Sequence, residues 1–123
     1  MIPISKLRIN ILANNQELIQ RGLMHTKSLP EDECAFFIFP QASSCSFWNK
    51  NVPYDIDLGF FDSQGKLVQT SVLAAHQEMP IRCGHNVKYV VEANKGWFES
   101  NKIDFGTNVW NLVDLKSEEK EDE

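Results

Sequence analysis

No apolar run in the 123-residue chain approaches the ~18–20 residues that a membrane-spanning helix requires, so no membrane partner is expected. The three cysteines, Cys34, Cys45 and Cys83, form no CxxC pair and cannot all pair within the chain, which reads them as free thiols. Lys and Arg nowhere form a basic stripe, so the electrostatic footprint of a nucleic-acid partner is missing. GxSxG, P-loop and dinucleotide fingerprints are absent. His25, His76 and His85 are too far apart in sequence for metal-ligand spacing. No cofactor, no metal and no internal repeat is expected.

What remains is an ordinary globular composition, 42% hydrophobic and 24% charged, of a size that fits a single domain, since two independent cores would each be too small. The net charge of −5 is unevenly spread. Residues 116–123 carry five acids and two lysines and no apolar side chain, which predicts an acidic mobile tail. Residues 1–115 form the expected single β-rich domain, close to neutral. The opening Met1-Ile2-Pro3-Ile4-Ser5-Lys6-Leu7-Arg8 lacks the basic-then-apolar order of a signal peptide, so a cytoplasmic location is expected.

Along the chain, Leu7–Leu12 alternates as a strand does. A short helix follows, with Asn14 as its N-cap and Glu17 three residues on. Gly22 marks either a close-packing point or the helix end. Ala35–Phe39 reads as a buried strand stopped by Pro40, and Gln41–Ser44 as a polar loop. Phe47–Asn51 and Ile56–Phe61 are predicted strands, and Lys66–Leu73 returns across an Asp62–Gly65 turn to complete an antiparallel hairpin. Ala74–Asn86 has no regular pattern. Val87–Glu92 alternates, residues 95–102 fit a short helix or a loop, and Thr107–Leu115 reads as a last strand. The expected class is α+β, mainly β: a small antiparallel curled sheet or barrel with one or two short helices.

The most distinctive segment is Ser46-Phe47-Trp48-Asn49-Lys50-Asn51, followed by Asp55-Ile56-Asp57. With Arg21-Gly22-Leu23-Met24, Leu29-Pro30, Phe60-x-Asp62, Gly65-Lys66-Leu67-Val68, Tyr89-Val90-Val91-Glu92, Gly96-Trp97, Ile103 and Gly106, it resembles domain-of-unknown-function family 192, small proteins of bacteria, archaea and some bacteriophages. The likeness covers about residues 9–110 and rests on the joint order of motifs. Asn49 stands where the family usually has Met, Val52 where it has Thr, and Asp55 where it has Pro. Cys34-Ala35-Phe36-Phe37 replaces Gly-Met-Leu-Phe. The family has no agreed activity, so the resemblance implies a fold rather than a reaction.

Five residues are the candidate ligand-binding set: Arg21, Trp48, Lys50, Asn51 and Asp57. Trp48 and Lys50 offer an apolar wall and an ammonium, or else a core indole and a solvated lysine. Asn51 and Asp57 can instead fix the loop between them. Arg21 can meet a carboxylate ligand, or pair with Asp57 or Glu92. The expected function is a non-enzymatic binding or interaction module for an unknown small ligand or protein. One alternative is a small hydrolase or transferase using Asp57 or Cys83 with Lys50 or Arg21. The other is a phage-encoded or accessory factor that binds a host protein.

Overall fold

The computed structural model describes residues 6–115; the 116–123 tail expectation lies outside them. In chain order the elements are β1 (Leu7–Ala13), α1 (Gln16–Arg21), β2 (Glu33–Phe47), β3 (Ile56–Phe61), β4 (Leu67–Leu73), β5 (Ile81–Asn94), α2 (Trp97–Ser100), a 3-10 turn at Val109–Asn111 and β6 (Val113–Asp114). The strands form one curled sheet in the order β4-β3-β5-β2-β1-β6, so the chain is mainly β with two short helices. Pairing is antiparallel from β4 to β2, but β1 runs parallel to both β2 and β6. A parallel neighbour needs a crossover, and the stretch that contains α1 provides it between β1 and β2. Among the described residues no helix is long and apolar enough to cross a membrane.

β2 and β5 form the spine, and both faces of their paired halves are buried. Cys34 and Phe36 point into one core with Val91, Ala93, Trp97 and Phe98. Ala35 and Phe37 point into the other with Leu23, Leu58, Phe60 and Val90. This two-sided burial explains the continuous apolar run at 34–39. Phe36, Phe37, Phe60 and Phe61 are fully buried, each contributing roughly 1.5–3 kcal/mol through the water it sheds.

Pro40 does not end the strand. β2 continues to Phe47, and the ladder instead loses register between Ile38 and Ser43 and again between Ser43 and Cys45. A bulge tolerates a residue without an N–H, and the Pro40 carbonyl is used by the Lys88 ammonium at 2.9 Å. The expected loop at 41–44 is therefore strand. The expected strand at 47–51 is chiefly a turn: Asn51 adopts φ 60°, and the Val52 N–H donates to the Asn49 carbonyl. The helix cap shifts by one, with Asn15 rather than Asn14 accepting the Leu18 N–H at 3.0 Å. β5 starts at Ile81, within the stretch expected to be irregular.

The expected last strand at 107–115 is a lacing segment. The Leu67 N–H donates to the Thr107 carbonyl, the Val109 N–H to the Gly65 carbonyl and the Leu7 N–H to the Leu112 carbonyl, before β6 settles on β1. It thus ties the start of β4 to β1, the far side of the sheet, and holds the curl. Asn108 bends it, its Oδ1 accepting the Trp110 N–H at 2.9 Å.

Gly59 in β3 lets α2 seat on the sheet. A Cβ there would lie 2.6 Å from Phe98 Cζ and 2.8 Å from its Cε2, far inside contact distance. Gly59→Ala is expected to destabilise the fold by about 1–3 kcal/mol, the usual cost of overpacking, read as a lower urea midpoint at unchanged slope.

Candidate functional site

A cavity of about 770 Å³ opens beside the second core, between α1, the later part of β2 and the Trp48–Val52 turn. Its side walls are aromatic and aliphatic: Phe37, Phe39 and Phe47, with Leu23, Val52 and Pro80. Phe47 stands edge-on to Phe37, with ring centroids 5.0 Å apart at 84°. The same ring meets Phe39 at 6.3 Å, so the three rings brace one another.

Gly22 allows α1 to end against this wall. It takes φ 48° and ψ −126° at the helix C-cap, a conformation open to glycine. A Cβ there would come within 3.2 Å of Phe37 Cζ and 3.7 Å of Glu92 Oε1. The two sequence alternatives for Gly22 therefore both hold: it ends the helix and packs closely.

Glu92 lines the same cavity from β5 and is only 3% exposed. Its carboxyl has no hydrogen-bond or ion-pair partner among the described residues. Removal from water disfavours its charge, and burial pushes its pKa up to about 8. Asn49, also on the lining, is 1% exposed. Its Nδ2 donates to the Tyr54 and Ala74 carbonyls, both at 2.9 Å, pinning the turn to the chain after β4. Its Oδ1 is left buried without a partner, which costs on the order of 1–3 kcal/mol.

The five sequence candidates separate. Arg21 and Trp48 line the cavity, and Arg21 makes no ion pair among the described residues; of its two alternatives, the pairing with Asp57 or Glu92 is not formed. Trp48 is 44% exposed rather than core. The Lys50 ammonium lies 5.4 Å from the centroid of that indole, a cation–π distance. Asn51 is exposed, and its carbonyl accepts the His25 N–H at 2.9 Å.

Asp57 does fix a loop, but the one at residues 96–98. It is buried in β3, where Oδ2 accepts the Gly96 N–H at 3.0 Å and the Phe98 N–H at 3.2 Å. Gly96, the N-cap residue of α2, offers no side-chain oxygen, so Asp57 caps the helix from the sheet.

The Cys34 and Cys45 thiols are poorly disposed to react. Cys34 is buried, and burial with the nearby Glu33 and Glu92 carboxyls raises its pKa. Cys45 lies opposite Cys83 across β2 and β5, and burial, then the Cys83 charge, pushes it up to about 12. Among the described residues no group of three His, Cys, Asp or Glu side chains is placed to hold a metal ion.

Sequence reasoning did not select Glu92 or Asn49 for the site. The available signal at Glu92 was an acid enclosed by Val90, Val91 and Ala93 in a strand apolar on both faces, where a charge has no solvated side.

Fold and cavity together define a small, mainly β domain whose curled six-stranded sheet carries an apolar-walled pocket with the buried Glu92 in its lining. The chain belongs to domain-of-unknown-function family 192, described as "Uncharacterized ACR, COG1430", whose model matches residues 4–110. It is similar to a protein of unknown function from Novosphingobium aromaticivorans DSM 12444, at 21% identity and TM-score 0.75 over 79% of this chain and 70% of that one. It is also similar to a protein from Sinorhizobium meliloti 1021 provisionally assigned as a transcription regulator, at 26% identity and TM-score 0.76 over 79% and 76% of the two chains. No curated protein matches the chain.

The Glu92 carboxyl sets a pH dependence of folding. It loses its proton near 4.5 in the ordinary state and near 8 in the folded one. Between those values the native state holds more protons than the unfolded chain, so stability falls as pH rises from about 4.5 to about 8 and levels above it. Glu92→Gln is expected to flatten this decline. Urea unfolding at pH 5 and pH 8.5 should show wild type losing at least ~1 kcal/mol more than the variant across that interval; parallel curves would contradict the assignment.

Proposed function

We propose that this protein is a non-enzymatic binding module whose ligand is a small, largely apolar molecule held in the cavity behind Trp48. The observation that carries the reading is the cavity itself. Its volume of about 770 Å³ falls in the ~300–1,000 Å³ range of small-molecule sites, and an apolar lining with few polar groups is the usual composition of such sites. Trp48 at the mouth, with Lys50 over its ring, supplies a half-exposed apolar cover.

The groups required by a hydrolase or transferase do not line this cavity together. Asp57 is occupied by the α2 backbone, and neither it nor Cys83 is among the cavity's lining residues. The Sinorhizobium protein's provisional assignment fits this chain as a ligand-sensing part rather than a DNA-reading one, because the near-neutral body has no basic stripe.

Binding of arylalkyl fragments, followed by NMR of the tryptophan indole N–H signals and the backbone amides, tests the reading. Shifts should cluster on Phe37, Phe47, Trp48 and Val52; shifts spread elsewhere, or none, would contradict it. Trp48→Ala is expected to weaken fragment binding about fivefold or more while lowering Tm by less than ~2–3 °C, since the side chain is largely outside the core. Asp57→Ala is expected to do the reverse, costing about 1–2 kcal/mol of stability through the lost helix cap and leaving affinity within about twofold.

A further inference from the structure

We propose that the ligand carries a primary amine and that Glu92 is the group that recognises it. The inference rests on the pocket reading above and adds the chemistry of the occupant. Three observations carry it. First, Glu92 is buried to 3% exposure, lines the cavity, and has neither hydrogen bond nor ion pair from any described residue. A buried carboxyl without a partner is costly, and an ammonium group entering the cavity supplies the missing cation and donors.

Second, the rings of Phe37, Phe39, Phe47 and Trp48 line the same cavity. Aromatic rings favour cations, and they also take up the apolar body of an arylalkyl or alkyl amine. Third, among the described residues Arg21 is not committed to Glu92. The protein therefore leaves the carboxyl available rather than neutralising it internally.

Among the described residues no Lys, Arg or His lies within ion-pair distance of Glu92. β2 presents Ala35 opposite it and the Cys34 thiol nearby, and β3 presents Leu58. The Tyr54 hydroxyl lies close enough for the Glu92 charge to raise its pKa, although burial is the larger cause. α1, whose C-cap Gly22 approaches Glu92, contributes Glu17 and Arg21 to the same lining, and β2 the Cys45 thiol.

The proton balance makes the proposal testable. A carboxyl held near pH 8 is protonated at neutrality in the free protein. Binding of an ammonium ion then releases one proton from Glu92 to solvent and leaves a carboxylate–ammonium pair. Amine affinity should therefore rise with pH up to about 8, and fall once the amine itself loses its charge near 10.

The experiment compares three ligands with one phenylethyl body: 2-phenylethylamine, 2-phenylethanol and 3-phenylpropionate. Affinities are measured by calorimetry on the full chain at pH 6, 7 and 8, in two buffers of different ionisation heat so that proton release is counted. The expected result is amine binding about tenfold or more tighter than the alcohol, with close to one proton released at pH 6. Glu92→Gln should remove the amine preference and the proton release while the alcohol still binds.

Equal affinity for amine and alcohol would overturn the amine assignment but leave the pocket reading standing. Tighter binding of the phenylpropionate, abolished by Arg21→Ala, would overturn it in favour of an anionic ligand. Failure of all three to bind would remove the pocket reading and this inference with it. The wild-type ligand series decides the matter even if Glu92→Gln does not fold.

Discussion

The antiparallel pairing of β2 with β5 is the constraint on which the rest of the structure depends. Both strands are long, and their paired halves are buried on both faces. Every side chain there must be apolar or find a partner, because no face is open to water. The two cores, the seating of α2 over Gly59 and the closure of α1 over Phe37 all follow from covering those faces. The bulged register after Ile38 lets β2 run on past Pro40 to Phe47, and so brings the third cavity ring and Trp48 into place.

Against that constraint, the two acids of the β3–β5 region behave differently. Asp57 resolves its burial within the fold, because its carboxylate takes two N–H groups at the start of α2. Glu92 does not, and no backbone or side-chain donor among the described residues reaches it. Local violations of good packing chemistry are expected where a protein does something other than fold. A carboxyl of this kind in a cavity wall is the physical basis for the proposed choice of an amine as ligand. The buried Asn49 Oδ1, on the turn after β2, is also left without a hydrogen-bond partner.

Much of the fold was legible in the sequence because it was written in local signals. The β3–β4 hairpin follows from two apolar runs and the Asp62–Gly65 turn, where Asp62 Oδ1 accepts the Gln64 and Lys66 N–H groups and Gly65 takes φ 83°. The second half of β5 follows from its alternation. The continuation of β2 was not legible, since Pro40 and the Ser-rich segment after it look like breakers and only the tertiary ladder makes them a bulge. The parallel placement of β1 and the lacing role of residues 106–114 also depend on long-range pairing that no local pattern encodes. At the site, aromatic and cationic residue types pointed to Arg21, Trp48 and Lys50; Arg21 and Trp48 line the cavity, and Lys50 lies over the Trp48 ring without being a lining residue. Glu92 was hidden by its apolar neighbours, and Asp57 looked chemical because its helix-capping partners are some forty residues away in sequence.

The most direct measurement of the central claim is the ionisation of Glu92 itself, followed through its side-chain carboxyl carbon by NMR titration of labelled protein. The account predicts a midpoint near 8 in the free protein, with the carboxyl protonated at neutral pH. A midpoint in the usual glutamate range, about 4–4.5, would mean that the carboxyl is solvated or paired, and would contradict the account.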